Sequence, residues 1–99
     1  MTPTYEERRQ GFDWSVAERE LGHVKGQPLN IGWYCSDRIC EQGLGGKPAL
    51  IWEDNGGREA TFTFDDIRVH SDAIAAHLLS LGFQKGERVC LFMDRLPEL

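Results

Sequence analysis

Residues 61–93 read TFTFDDIRVHSDAIAAHLLSLGFQKGERVCLFM, and this stretch decides the fold of the chain. It opens on alternating threonine and phenylalanine, residues that favour a strand. Apolar residues at helical spacing then predict a helix over Phe64–Leu81, starting from a capping box formed by Thr63 and Asp66. Gly82 ends this helix, because glycine readily adopts the left-handed conformation that follows many helices.

The end of the stretch, Val89–Met93, is apolar without alternation, as is typical of a parallel strand covered on both faces. A strand, a helix and a second strand in this order predict a βαβ unit with a right-handed crossover. The helix covers one face of Val89–Met93, and a further helix beginning at Pro97 is the natural cover for the other. We therefore expect the chain to be an N-terminal fragment of a larger protein, ending at Leu99.

Two segments ahead of the βαβ unit predict a β-hairpin. The runs PALIWED (residues 48–54) and REATFTF (residues 58–64) favour strands, and the Asn-Gly-Gly between them supplies turn residues. The predicted fold class is α/β, of the mixed α+β kind, in which leading helices precede the hairpin and the βαβ unit.

The N-terminal part of the chain predicts helices. The first is broken at Gly11 and restarts from an N-cap at Asp13. Another is expected from Asn30 to about Gln42, where apolar residues recur at helical spacing. We divide the chain into an N-terminal helical extension, residues 1–28, and the beginning of a larger domain, residues 29–99.

Composition excludes several classes of function. The net charge of −5 comes without a basic stripe, which argues against nucleic-acid binding. No apolar run approaches the ~20 residues that span a bilayer, and the N-terminus lacks the apolar region of a signal peptide. Three cysteines, an odd number, form no disulfide framework and indicate reduced thiols in a cytoplasmic protein.

The glycine-rich segment GLGGKP, residues 43–48, resembles a phosphate loop only superficially. It lacks the leading glycine and the trailing Ser or Thr of a P-loop, and it follows a helix rather than a strand. We interpret it as an ordinary connecting loop.

No group of residues forms a recognisable reaction centre. His70 and His77 lie two helical turns apart, about 10.5 Å along the axis, which is too far for one metal ion, and we expect both to be partly buried. Cys90 is expected in the core, while Asp65 and Asp66 serve as solvated or capping carboxylates. We therefore predict no catalytic, cofactor-binding or metal-binding residue within residues 1–99.

Four segments taken in order resemble one family. They are FDWSVAERELG (residues 12–22), LNIGWYCSDR (29–38), KPALIWED (47–54) and residues 61–99. Their order and spacing resemble the N-terminal part of acetyl-CoA synthetase, an AMP-forming acyl-CoA synthetase of the adenylate-forming superfamily. The chain departs from that pattern at Ile39, Glu87 and Asp94, where the family usually has His, Asp and Pro.

The resemblance implies the start of a large N-terminal domain of an acetate or short-chain acid–CoA ligase. Such an enzyme joins a carboxylate to ATP, with magnesium, to give an acyl-adenylate and pyrophosphate, and CoA then displaces AMP. The nucleotide, carboxylate and lysine sites of the family all lie downstream, so the 99-residue chain alone is expected to be inactive and to bind no cofactor. Its implied partners are these small molecules and the rest of its own chain.

Two alternatives stay open. Beside the acetate ligase, the chain fits a non-catalytic interaction module whose uncovered strand face binds a partner, or part of a sister ligase for propionate, acetoacetate or an aromatic acid. Folding of the isolated chain separates the first alternative from a ligase fragment, because a module forms a cooperative monomer or a defined complex.

Overall fold

The computed structural model describes residues 2–99 and divides them into two compact units, the first ending at Ile31 and the second running from Gly32 to Leu99. The first unit contains helices α1 (Tyr5–Gln10) and α2 (Trp14–Leu21). The predicted break at Gly11 and the N-cap at Asp13 are confirmed, since the Asp13 carboxylate accepts a hydrogen bond from the backbone N–H of Ser15 at 2.9 Å.

The expected single helix from Asn30 to Gln42 is wrong. Two short helices, α3 (Ile31–Cys35) and α4 (Asp37–Ile39), are followed by a π-helical segment, Cys40–Leu44. The break falls at Ser36, whose backbone is non-helical (φ −132°, ψ −79°) and whose hydroxyl donates to the Gly32 carbonyl at 2.6 Å. This local side-chain bond offers the backbone an alternative to a continuous helix.

The predicted hairpin is confirmed. Strands β1 (Pro48–Glu53) and β2 (Glu59–Thr63) pair antiparallel, with Ile51 opposite Thr61. Asp54 organises the turn, because its carboxylate accepts the backbone N–H groups of Gly56 and Arg58, each at 2.8 Å.

Helix α5 (Phe64–Ser80) follows β2 directly and matches its predicted bounds closely. The predicted capping box is present: the Asp66 N–H donates to the Thr63 hydroxyl at 3.2 Å, and the Thr63 N–H donates to the Asp66 carboxylate at 2.8 Å. The N–H groups of Phe64 and Asp65 donate to the carbonyls of Lys47 and Gly45. The first N–H groups of a helix have no partner within the helix, and here two of them bind the start of α5 to the loop before β1.

The βαβ unit is only partly formed. Among residues 2–99 the sheet has two strands, β1 and β2, and the predicted strand Val89–Met93 is irregular. A strand needs a neighbouring strand to pair its backbone hydrogen bonds, and Val89–Met93 has none among the described residues. The side chain of Phe92 is accordingly fully exposed, at 102%. The helix predicted at Pro97 is a single turn closed by a bond from Leu99 N–H to the Leu96 carbonyl. The mixed α/β class itself is confirmed.

The described residues enclose no buried apolar side chain. The one buried side chain among them is polar Ser36, at 7% exposure. Folding ordinarily depends on removing apolar surface from water, so the elements of this chain present surface that is suited to further packing. Exposed large apolar residues of the second unit include Ile51, Val69, Ile74, Leu79, Leu91 and Phe92.

Candidate functional site

An open groove of about 1040 Å³ lies between the hairpin and one face of α5. The C-terminal residues 95–99 form a further wall. The lining is predominantly apolar, and its large apolar side chains are Leu50, Trp52, Phe62, Phe64, Ile67, Ile74, Leu78, Leu96 and Leu99.

Alternation along the strands and helical spacing along α5 build this groove. Leu50 and Trp52 are two apart on β1 and therefore share a face of the hairpin. Ile67, Ile74 and Leu78 recur at the spacing of one helix face, as the sequence predicted. The hairpin and the helix thus turn their apolar sides toward the same space.

A long-range hydrogen bond attaches the C-terminal wall to the hairpin. The indole Nε1–H of Trp52 donates to the backbone carbonyl of Arg95 at 2.8 Å. Sequence reasoning missed this contact. The available signal was a tryptophan in a strand, since a tryptophan in an apolar setting usually finds an acceptor for its N–H.

The two histidines of α5 line the groove but are both exposed, so the expectation of partial burial is wrong. His70 packs edge-to-face against Phe62, with ring centroids 6.4 Å apart. The physical reason for the exposure is that the described residues place no further layer over this face of the helix.

The carboxylates that the sequence singled out stabilise local backbone. Hydrogen bonds from the Thr63 backbone and hydroxyl, together with the charge of His70, hold the pKa of Asp66 below its ordinary value of 3.8. Hydrogen bonds from Arg58 likewise lower the pKa of Asp54. Asp65 pairs with Arg68 at 3.1 Å on an exposed surface. The capping role predicted for Asp66 is confirmed.

The three cysteines lie in different settings, and none of them forms a disulfide within the described residues. Burial, followed by the Asp65 carboxylate, raises the pKa of the Cys40 thiol above its ordinary value of 9.0. Cys35 is exposed and lines the groove. Cys90 is also exposed, which overturns its expected core position, because Val89–Met93 lacks a covering layer. Within residues 2–99 no three His, Cys, Asp or Glu side chains gather closely enough to hold a metal ion.

The glycine-rich segment presents acceptors to α5 rather than donors to an anion. The Gly45 carbonyl accepts the Asp65 N–H at 2.9 Å, and the Lys47 carbonyl accepts the Phe64 N–H at 3.1 Å. A phosphate needs N–H groups that point at it, and here the amides at the start of α5 are already engaged. The interpretation of this segment as a connecting loop agrees with these contacts.

The groove therefore has the chemistry of a packing surface. Ligand sites combine an apolar wall with a few convergent polar groups. In this lining the polar side chains, His70, Ser71, His77, Arg95 and Glu98, are outnumbered by apolar ones. Magnesium needs several oxygen ligands, and Glu98 supplies the one side-chain carboxylate among the described lining residues, so the groove does not fit that ion. None of the helices among residues 2–99 combines the length and the apolar character needed to cross a bilayer.

Comparison with known proteins supplies the family. The model of the AMP-binding enzyme family matches residues 37–99, more than half of the chain. This chain belongs to the AMP-binding enzyme family. It is 36% identical to acetyl-coenzyme A synthetase of Magnetococcus marinus over 94% of its length and 35% identical to that of Streptomyces coelicolor over 93%. The corresponding protein of Rubrobacter xylanophilus is 35% identical over 75% of the chain.

The chain accounts for only 12 to 16% of the length of these relatives. The resemblance that the sequence predicted is thus confirmed for the family, over a small part of the whole enzyme. A comparison with solved structures found no match.

Proposed function

We propose that the chain is a scaffold part of an AMP-forming acetate–CoA ligase, or of one that uses another short acid. The single observation that carries this proposal is the similarity to acetyl-coenzyme A synthetases over nearly the whole chain. In this proposal the ligase converts ATP, a carboxylate and CoA into acyl-CoA, AMP and pyrophosphate through an acyl-adenylate. Magnesium accompanies ATP and stabilises the charge that develops on phosphate.

The residues that perform this chemistry lie outside positions 1–99 in our proposal. The exposed apolar surface supports this assignment, since these elements present large apolar faces that are suited to packing. The 99-residue chain alone is accordingly inactive and holds no catalytic, cofactor-binding or metal-binding residue. Residues 1–28 form a helical extension, and residues 29–99 begin the large domain. A cytoplasmic location is part of the proposal, because three cysteines, an odd number, do not make a disulfide framework.

Acid-dependent exchange between ATP and labelled pyrophosphate tests the proposal. The purified 99-residue chain, prepared from a host that lacks its own acetate ligases, is expected to give no exchange above a blank without protein. A chimera in which this chain replaces the matched region of the Magnetococcus marinus enzyme is expected to catalyse exchange with acetate. Exchange by the chain alone, or a folded chimera without exchange, would contradict the proposal.

The same exposed surface favours a second candidate, a non-catalytic interaction module. A cooperative monomer or a defined complex of the isolated chain is the outcome that distinguishes such a module from a ligase part. Among ligases, comparison of acetate with propionate, acetoacetate and an aromatic acid in the full-length ligase that carries this chain, rather than in the chimera, identifies the acid that the downstream pocket accepts.

A further inference from the structure

The groove face of α5 is incompletely covered. Ile74 lines the groove at mid-helix and still exposes 58% of its surface. Val69 lies on the same helix outside the groove lining and exposes 63%. The two β-branched side chains are therefore nearly equally exposed in this chain, although they point to different sides of α5.

Residues 95–99 lead the backbone along the groove. The Trp52–Arg95 hydrogen bond fixes the start of this segment on the hairpin, and Leu96 and Leu99 contribute to the groove lining. The family match extends through Leu99, and the relatives are six- to eight-fold longer than this chain, as their 12 to 16% coverage implies. Polypeptide that follows this position in the relatives therefore starts beside the groove.

Resting on the proposed function, we propose that the groove between the hairpin and α5 is a docking site for the downstream part of an acetyl-CoA synthetase polypeptide. The occupant supplies apolar side chains that cover Ile74, because the groove walls are predominantly apolar and open. Covering this face removes from water the apolar surface that the 99 residues cannot bury among themselves. The Val69 side of the helix stays outside this interface.

The test uses the chimera described above and two matched variants, Ile74→Asp and Val69→Asp. Both replace a β-branched aliphatic residue on α5 by the same acidic residue, so their costs in helix propensity are similar. In the covered groove, the carboxylate introduced at position 74 would lose its hydration, whereas the carboxylate introduced at position 69 keeps contact with water. Amide hydrogen exchange of α5 and ATP–pyrophosphate exchange are measured for each chimera.

We expect Ile74→Asp to speed amide exchange across α5 at least ten-fold, the equivalent of about 1.4 kcal/mol, and to lower activity. Val69→Asp is expected to change amide exchange by less than about three-fold, as is usual for surface substitutions. If the Ile74→Asp chimera does not fold at all while Val69→Asp does, the difference also supports the docking site. The milder pair Ile74→Ala and Val69→Ala then gives the graded comparison.

The other outcomes contradict either the docking site or the proposed function. A folded, active chimera in which both Asp variants behave alike overturns the docking site and leaves the proposed function standing. A chimera that carries the native groove but does not fold, or folds without activity, contradicts the proposed function, and the docking site falls with it. A homodimer of the isolated chain that Ile74→Asp disrupts, seen by sedimentation, identifies a second copy as the occupant and overturns the inference.

Discussion

Gly45 lies where the loop before β1 meets the N-terminus of α5, and a methyl group there would collide with Asp65. A Cβ built on Gly45 comes to 2.5 Å from the Asp65 Cγ and within clash distance of both its carboxylate oxygens. The backbone of Gly45 is ordinary for any residue (φ −56°, ψ −32°), so the cost of Gly45→Ala is steric and not conformational. The colliding atoms are the end of an exposed side chain rather than backbone, so we expect a cost near the low end of the about 1–3 kcal/mol that overpacking brings in a core.

The effect of the collision can be measured at the backbone hydrogen bond between Asp65 and Gly45. A backbone shift that relieves the collision would lengthen the hydrogen bond that the Asp65 N–H donates to the Gly45 carbonyl at 2.9 Å. We expect amide exchange at residue 65, measured by NMR, to be at least about five-fold faster in Gly45→Ala, the equivalent of roughly 1 kcal/mol.

Two controls make the measurement specific. Gly46→Ala adds the same methyl group one residue later, where nothing lies within 4 Å of the new Cβ, and should leave exchange nearly unchanged. Truncation of the obstructing side chain in Gly45→Ala/Asp65→Ala should restore protection, after correction for intrinsic exchange rates. Equal effects of the two alanines, or no rescue by Asp65→Ala, would refute the steric reasoning.

Three further predictions concern other parts of the second unit. The pKa of Asp66 is lowered in the folded chain, so the native state binds fewer protons there than the unfolded state. Helix content, measured by circular dichroism at 222 nm, should therefore hold above pH ~4 and fall as the pH drops through the native pKa. Asp66→Asn should weaken that decline. Iodoacetamide should alkylate exposed Cys90 faster than Cys40, whose pKa is raised, and mass spectrometry showing the reverse order would contradict the structure. Trp52→Phe removes the indole donor and should loosen residues 95–99, seen as faster proteolysis of the C-terminus, while Trp33→Phe serves as the control because Trp33 does not line the groove.

Local chemistry in the sequence determined most elements of this chain. The capping box of Thr63 and Asp66, the period of α5 and the hairpin turn before Arg58 all depend on residues within a few positions of one another. Their stabilising bonds form whatever surrounds them, which is why sequence pattern predicted them. The order of the segments likewise determined the family, which the match over residues 37–99 confirms.

Only the tertiary structure determined which segments find a neighbouring strand and which side chains are covered. Val89–Met93 has the composition of a strand, yet a strand needs hydrogen bonds from a neighbour, and none pairs with it among residues 2–99. The sequence predicts burial for Cys90 and partial burial for His70 and His77. All three are exposed, because no further layer of the described residues covers them. The attachment of residues 95–99 to Trp52 joins positions 43 apart, a contact that no local pattern encodes. Burial and strand pairing depend on which surfaces meet, and that is a property of the three-dimensional assembly.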